Sequence, residues 1–373
     1  MRRWLPMVLI LLCLWSPTVS AETTDELYQR QLEAAGAEEL TTGLPEDVRQ
    51  LLAEWEFDPL RPESYTELSF GNVTTMLWDL LCRQSTGPLS ALSMLLGVVL
   101  TGALFNAWEG PGDALRQTYR GVTVLGAGGA LLVPLFGLLS TVKETVEQVT
   151  VFITSFVPLY GAVLIAGGRG VSALSYQTAL LGASELLVWL IRVGVFPLLT
   201  VSLAFGCTGS VADGFCLDRF SQTIHKTILW GLGLFSTLFS GFLSLQQMVA
   251  TAGDSMSSRV VKFSLSSFVP VVGGLLSEAY ATVTGCAGLL RSTVGGFGLL
   301  ATALILAPPL LSCVCWSFGL QVAGSVAALF GLAPMEGLCR VAGGAVKVLI
   351  ALLAVFALLM ILSSTVMVTT AGR

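Results

Sequence analysis

The chain has 373 residues and a formal net charge of −5; 54% of its residues are hydrophobic, 12% are charged, and the mean hydropathy is +0.80. That balance excludes an ordinary soluble globular domain, in which about a quarter of residues are charged. With one histidine, His225, and no glycine-rich phosphate loop after a strand, it also argues against soluble nucleotide chemistry.

Arg2 and Arg3 precede an apolar run from Trp4 to Trp15, followed by Pro17 and the small-residue pattern Val19-Ser20-Ala21. This reads as a signal peptide, residues 1–21, cleaved after Ala21. An uncleaved first membrane helix is the alternative, disfavoured because the run is short for a span. Residues 22–87 hold fourteen of the 24 acids and only four arginines, which suits an extracytoplasmic segment. Within it, Pro45 followed by Glu46 and Asp47 starts a helix, and Val48, Leu51, Leu52 and Trp55 share its apolar face. Pro59 and Pro62 then break the chain, and an amphipathic stretch from Thr66 to Leu81 leads into the membrane.

Residues 88–373 read as an all-α, polytopic membrane domain, because the runs are continuously apolar rather than alternating and lipid offers no partner to a free backbone group. Spans are expected at about 88–107, 121–141, 150–168, 228–248, 263–284, 294–317 and 342–367, with 171–214 supplying either one span and a surface helix or two short spans. The total is about eight or nine. Arg116, Arg120 and Arg169 are assigned to the inner side, with Lys143, Glu144 and Glu147 in an outer loop.

Seven cysteines follow the signal, an odd number that argues against a complete disulfide framework. Cys313 and Cys315 point to different faces of a helix and suit a core better than a metal site. Cys207 and Cys216 flank a loop and can pair if that loop faces outward. Ionisable residues inside apolar runs usually face protein or water. Glu185, Glu278 and Arg291 therefore stand out, either as the polar lining of a path or as residues that pair near a helix end, Glu278 with Arg291 and Glu185 with Arg192.

The segment Ser267-Phe268-Val269-Pro270-Val271-Val272-Gly273-Gly274 resembles Ser155-Phe156-Val157-Pro158-Leu159-Tyr160-Gly161, and the same spacing carries Pro197-Leu198-Leu199 onto Pro309-Leu310-Leu311. This reads as an internal duplication of about 115–207 and 220–320, a common plan of membrane transporters with broken helices at a midplane site. Pro158 and Pro270 are expected to mark helix discontinuities that face each other, with Gly161, Gly273 and Gly274 beside them and Glu278 bordering the polar space. The other explanation is that Pro and Gly are frequent in membrane helices.

Lys262-Phe263 leading into Ser267–Ala279, then Gly288-Leu289-Leu290-Arg291, together with the signal and the acidic outer segment, resembles the stage III sporulation protein AE family of endospore-forming Firmicutes. The resemblance implies a multi-pass protein of the mother-cell membrane around the forespore. Its implied partners are an ATPase and ring-forming proteins of the same operon. Their joint function would be the channel, or feeding apparatus, that supports late forespore gene expression. This chain would be its membrane component and permease-like gate. The resemblance carries no catalytic residues, and no Ser, His and Asp set or metal cluster stands out, so neither an enzyme, a cofactor nor a nucleic-acid partner is expected. An autonomous secondary transporter and a structural anchor for ring proteins are the alternatives.

Overall fold

The computed structural model describes residues 43–55, 57, 64, 70–107, 113–211, 217–268 and 273–369, with side chains left undescribed at 70–73, 105–107, 113–117, 120, 207, 210–211, 217–218, 257–287, 289 and 366–369. The signal peptide, Ala21, Cys216 and Pro270 lie outside these residues. The described elements are helices: α1 Glu46–Glu54, α2 Phe70–Ala107, α3 Asp113–Ala166, α4 Gly170–Leu190, a π-turn Ile191–Val195, α5 Phe196–Val211, α6 Leu217–Phe268, α7 Gly273–Leu329 and α8 Ala333–Thr369.

Helix α1 starts directly after Pro45 with Glu46 and Asp47 in its first turn, and it buries Val48 and Leu52 in the common core. Acidic side chains at a helix N-terminus offset the exposed amide dipoles. Helix α3 is 54 residues long, about 81 Å at 1.5 Å per residue, so it far exceeds a hydrocarbon core of about 30 Å. The two spans expected at 121–141 and 150–168 are therefore parts of one helix, and the expected outer loop between them is helical. Its sequence explains why. Residues 142–149 lack Gly and Pro, Lys, Glu and Gln are good helix formers, and Val142, Val146 and Val149 bury one face while Lys143, Glu144 and Glu147 stay exposed on the other. Arg116 and Arg120 consequently lie at the opposite end of α3 from Arg169.

The described part of the ambiguous 171–214 region, to Val211, is also one rod, α4 running through the π-turn into α5. Two of the turns between rods are set by glycine. Gly168 has φ 77°, with Gly168 N–H bonded to Ile165 O at 2.9 Å and Arg169 N–H to Leu164 O at 3.0 Å. Gly331 repeats the pattern with φ 69°, Gly331 N–H to Ala328 O at 3.1 Å and Leu332 N–H to Ala327 O at 2.9 Å. These paired bonds close the ends of α3 and α7, and only glycine adopts the left-handed conformation at no steric cost.

Helix α8 is the centre of the bundle, packed against α3, α4, α5, α6 and α7. Helix α7 also packs on α2 and α3, and α3 on α2 and α4. Among the described residues, 6 helices are long and apolar enough to cross a membrane: 74–104, 121–166, 170–206, 219–256, 290–329 and 333–365. The expected count of about eight or nine is not reached, because 121–166 is continuous. The run at 263–284 falls on side chains that are not described. Trp189, Trp230, Phe242, Met248 and Phe318 project outward, the surface expected of helices solvated by lipid.

Candidate functional site

Prolines line an opening in the bundle. Pro88 lies inside α2, Pro134 inside α3, and Pro308 and Pro309 inside α7. Each lacks an amide proton and deprives the carbonyl four residues earlier of its helical partner. Those carbonyls belong to Gln84, Ala130, Leu304 and Ile305. The four prolines converge on a cavity of about 550 Å³, and Gln84, Leu304 and Ile305 are in its wall. Helix α3 adds Thr141, Glu144, Thr145 and Gln148, and α7 adds Ser312 and Trp316. Carbonyls freed at depth survive only beside protein donors or water, and this wall is polar enough to hold water.

Helix α1 forms one side of the cavity through Asp47, Val48 and Leu51. Arg83 of α2 holds it in place by a two-point contact, Nη2 to Glu54 Oε1 at 2.6 Å and Nη1 to Glu54 Oε2 at 3.2 Å, and it also meets Asp79 at 2.9 Å. The hydrogen bond from Arg83, aided by its charge, holds the Glu54 carboxyl below the usual carboxylate range.

Beyond the cavity, α3 continues with Phe152, Phe156 and Tyr160, each one turn further along the face that carries Gln148. The rings stack at centroid distances of 5.4 Å and 5.5 Å. Phe297 of α7 closes against Phe152 at 6.1 Å and Phe156 at 6.3 Å. All four rings are at most 1% exposed. The approach depends on Gly298, where an added Cβ would lie 2.3 Å from Phe156 Cζ. The packed aromatic column thus begins one turn along α3 from Gln148 in the cavity wall. At its far end Tyr160 meets Tyr176 of α4 edge-on at 5.2 Å, and Arg291 of α7 lies buried nearby at 6% exposure.

The residues singled out in the sequence are distributed unevenly over this path. Gly161 is buried against the side chain of Gln177, where an added Cβ would lie 1.9 Å from Nε2, and Gln177 donates to the Pro158 carbonyl at 3.4 Å. Pro158 itself is exposed, and α3 runs through it unbroken to Ala166, so it marks no discontinuity. The hydroxyls of Thr154 and Ser155 donate to Thr150 O and Val151 O, one turn back. Glu185 is exposed, and Arg192 pairs across helices with Glu147 at 3.5 Å rather than with Glu185. Gly273 and Gly274 begin α7, and Glu278 follows on it with its side chain undescribed. Arg291 is brought to the Tyr160 end of the column. Cys313 is buried and Cys315 half-buried, both as free thiols.

Sequence reasoning missed the cavity, because its wall is drawn from α1, α2, α3 and α7 and contains no rare residue type. The available signal was the set of prolines within apolar runs, of which only Pro158, Pro270 and the Pro197 and Pro309 pair attracted notice. It also missed a buried polar joint between α5, α6 and α8. There Ser202 Oγ donates to Leu199 O at 2.8 Å and lies 2.9 Å from His225 Nε2, while Gly344 backs the ring. The Ser202–His225 contact ties α5 to α6 inside the bundle, and among the described residues no carboxylate is bonded to the ring.

A family model described as stage III sporulation protein AE matches residues 62–371. The chain is similar to stage III sporulation protein AE of Bacillus subtilis (strain 168), with 27% identity over 226 residues, 61% of this chain and 57% of that relative. The match thus spans little more than half of the relative's length. No solved structure matches. With the family match covering the helical bundle from before α2 to past the end of α8, the chain belongs to the stage III sporulation protein AE family.

Proposed function

We propose that this protein is the membrane component of the channel between mother cell and forespore, acting there as a permease-like gate needed for late forespore gene expression. The observation that carries the reading is the cavity of about 550 Å³, with the packed column of Phe152, Phe156 and Phe297 starting one turn along α3 from its wall at Gln148. An opening lined by prolines and polar side chains is the form a solute path takes between helices, and a packed aromatic barrier beyond it is the form of a closed gate. Family membership supports the setting in sporulation, and the apolar helices support residence in a membrane. Operon-encoded ring proteins and an ATPase would be its partners, with residues 22–87 on the extracytoplasmic side of the mother-cell membrane. The internal repeat is part of the same reading. Its halves would begin with α3 and α6, 54 and 52 residues long, each followed by a second rod.

The test fills the cavity in sporulating cells that carry the chain as their sole copy. Thr141→Trp and Ser312→Trp place indoles in the opening from two different helices. The reading expects a late forespore reporter to fall at least about tenfold while membrane abundance of the protein stays normal, since a solute path is lost once its lumen is occupied. Full reporter activity from both variants at normal abundance would remove the path and favour the anchor.

A further inference from the structure

Where α3 turns into α4, donors and positive charge outnumber their partners. Arg291 is 6% exposed, and among the described residues no carboxylate pairs with it. Arg169, in the turn, is close enough for its charge to act on Arg291, and so is the Tyr160 hydroxyl. Asp254 of α6 is committed to the start of α4, accepting from the amides of Val171 at 3.1 Å and Ser172 at 3.3 Å and from the Ser172 hydroxyl. Among the described residues it forms no ion pair with either guanidinium.

The neighbouring phenols are also unsatisfied. The hydroxyls of Tyr160 and Tyr176 are buried without a hydrogen-bond partner. Ser363 lies beside Tyr176 and gives its own proton to the carbonyls of Leu359 at 2.8 Å and Met360 at 3.1 Å, so its oxygen can only accept from the phenol, and Tyr160 has no such neighbour. Buried donors normally find acceptors, and an unpaired buried guanidinium is costlier than an unpaired hydroxyl. Arg291 and the phenols share one complement, a group with several acceptor oxygens and negative charge.

We propose that Arg291, with the hydroxyls of Tyr160 and Tyr176, binds a compact oxyanion, a phosphate or a carboxylate, at the end of the bundle where α3 turns into α4. The site lies beyond the aromatic column from the cavity, and its existence does not depend on the gating role. Either a free ion or the headgroup of an anionic lipid supplies the same chemistry, since Arg291 begins the apolar part of α7.

The full chain is placed in nanodiscs of neutral phosphatidylcholine, and thermal unfolding is followed by tryptophan fluorescence while inorganic phosphate or acetate replaces chloride at constant ionic strength. A second set of discs contains phosphatidylglycerol. The proposal expects a saturable rise in Tm with phosphate or acetate in neutral discs, or, if the headgroup is the source, a rise with phosphatidylglycerol to which free phosphate adds nothing. Arg291→Met weakens the response at least about tenfold. Without anion this variant melts no lower than wild type, because it removes an uncompensated buried charge. Tyr160→Phe with Tyr176→Phe deletes only two hydroxyls; it weakens the response without abolishing it and carries the test if Arg291→Met does not fold. No saturable shift in the wild type under any condition, or an equal shift in Arg291→Met or in the double phenylalanine variant, overturns the proposal.

Discussion

Gly298→Ala adds one methyl group at the point where α7 meets the aromatic column, and its cost follows from the geometry. The new Cβ would lie 2.3, 2.7 and 2.9 Å from Cζ, Cε1 and Cε2 of Phe156. Relief needs the ring to move by about 1 Å to reach ordinary van der Waals contact, yet Phe156 is 1% exposed and stacked between Phe152 and Tyr160. Overpacking of this kind costs about 1–3 kcal/mol. Alanine in a helix interior returns up to about 1 kcal/mol of backbone entropy, so the net effect alone is a poor readout. Gly137→Ala on α3 supplies the reference, because an added Cβ there meets nothing within 4 Å and should show only the gain. The difference between the two variants isolates the contact. Thermal unfolding of the full chain in detergent should place Gly298→Ala roughly 2–6 °C below Gly137→Ala. Phe156→Leu, which trims the ring, should abolish most of that difference when combined with Gly298→Ala, a coupling that a double-mutant cycle measures directly. Equal melting of the two alanine variants, or strict additivity in the cycle, would refute the packing of Phe156 on Gly298.

Gly344→Ala should destabilise by a similar about 1–3 kcal/mol, since its Cβ would lie 2.4 Å from His225 Nδ1, and His225→Ala in the same chain should relieve it in a melting assay. Arg83→Ala should release α1 from the cavity, read as faster amide exchange at residues 46–54 with little change in α8. The same contact should depend on acid. The folded-state pKa of Glu54 is depressed, so the contribution is complete above the ordinary carboxylate range and is lost as pH falls through the lower folded value. Protection of α1, corrected for the intrinsic exchange rate at each pH, should accordingly be flat near neutrality and fall in acid, and Glu54→Gln should remove that acid dependence.

The helical class and apolar character were legible because they rest on composition, and α1 was legible because Pro45, two acids and a spaced apolar face are local signals. Span limits were not. Treating Lys143, Glu144 and Glu147 as a loop weighed charge and ignored the buried valines at 142, 146 and 149, whose period continues the helix. Pro158 illustrates a second difficulty. A proline removes one bond from a long helix, and packing over 54 residues holds the rod together regardless. Arg291 and Gly161 were recognised from sequence alone, whereas their actual neighbours, Tyr160, Tyr176 and Gln177, become adjacent only when α3, α4 and α7 pack. The cavity is tertiary in the same sense, since no single helix contains enough of its wall to reveal it.

Accessibility across the aromatic column tests the central claim most directly. In a background with Cys82, the exposed thiol among the described residues, and Cys207, Cys216 and Cys286 replaced by Ser, Ser312→Cys reports on the cavity and Val294→Cys on the buried side beyond Phe297. A charged, membrane-impermeant thiol reagent applied to the full chain in sealed vesicles should modify Ser312→Cys rapidly and leave Val294→Cys unmodified. Adding Phe156→Ala should open the column and expose Val294→Cys to the same reagent at normal protein abundance. Protection of Val294→Cys that persists in Phe156→Ala, or modification already complete when Phe156 is present, would contradict a gate at this position.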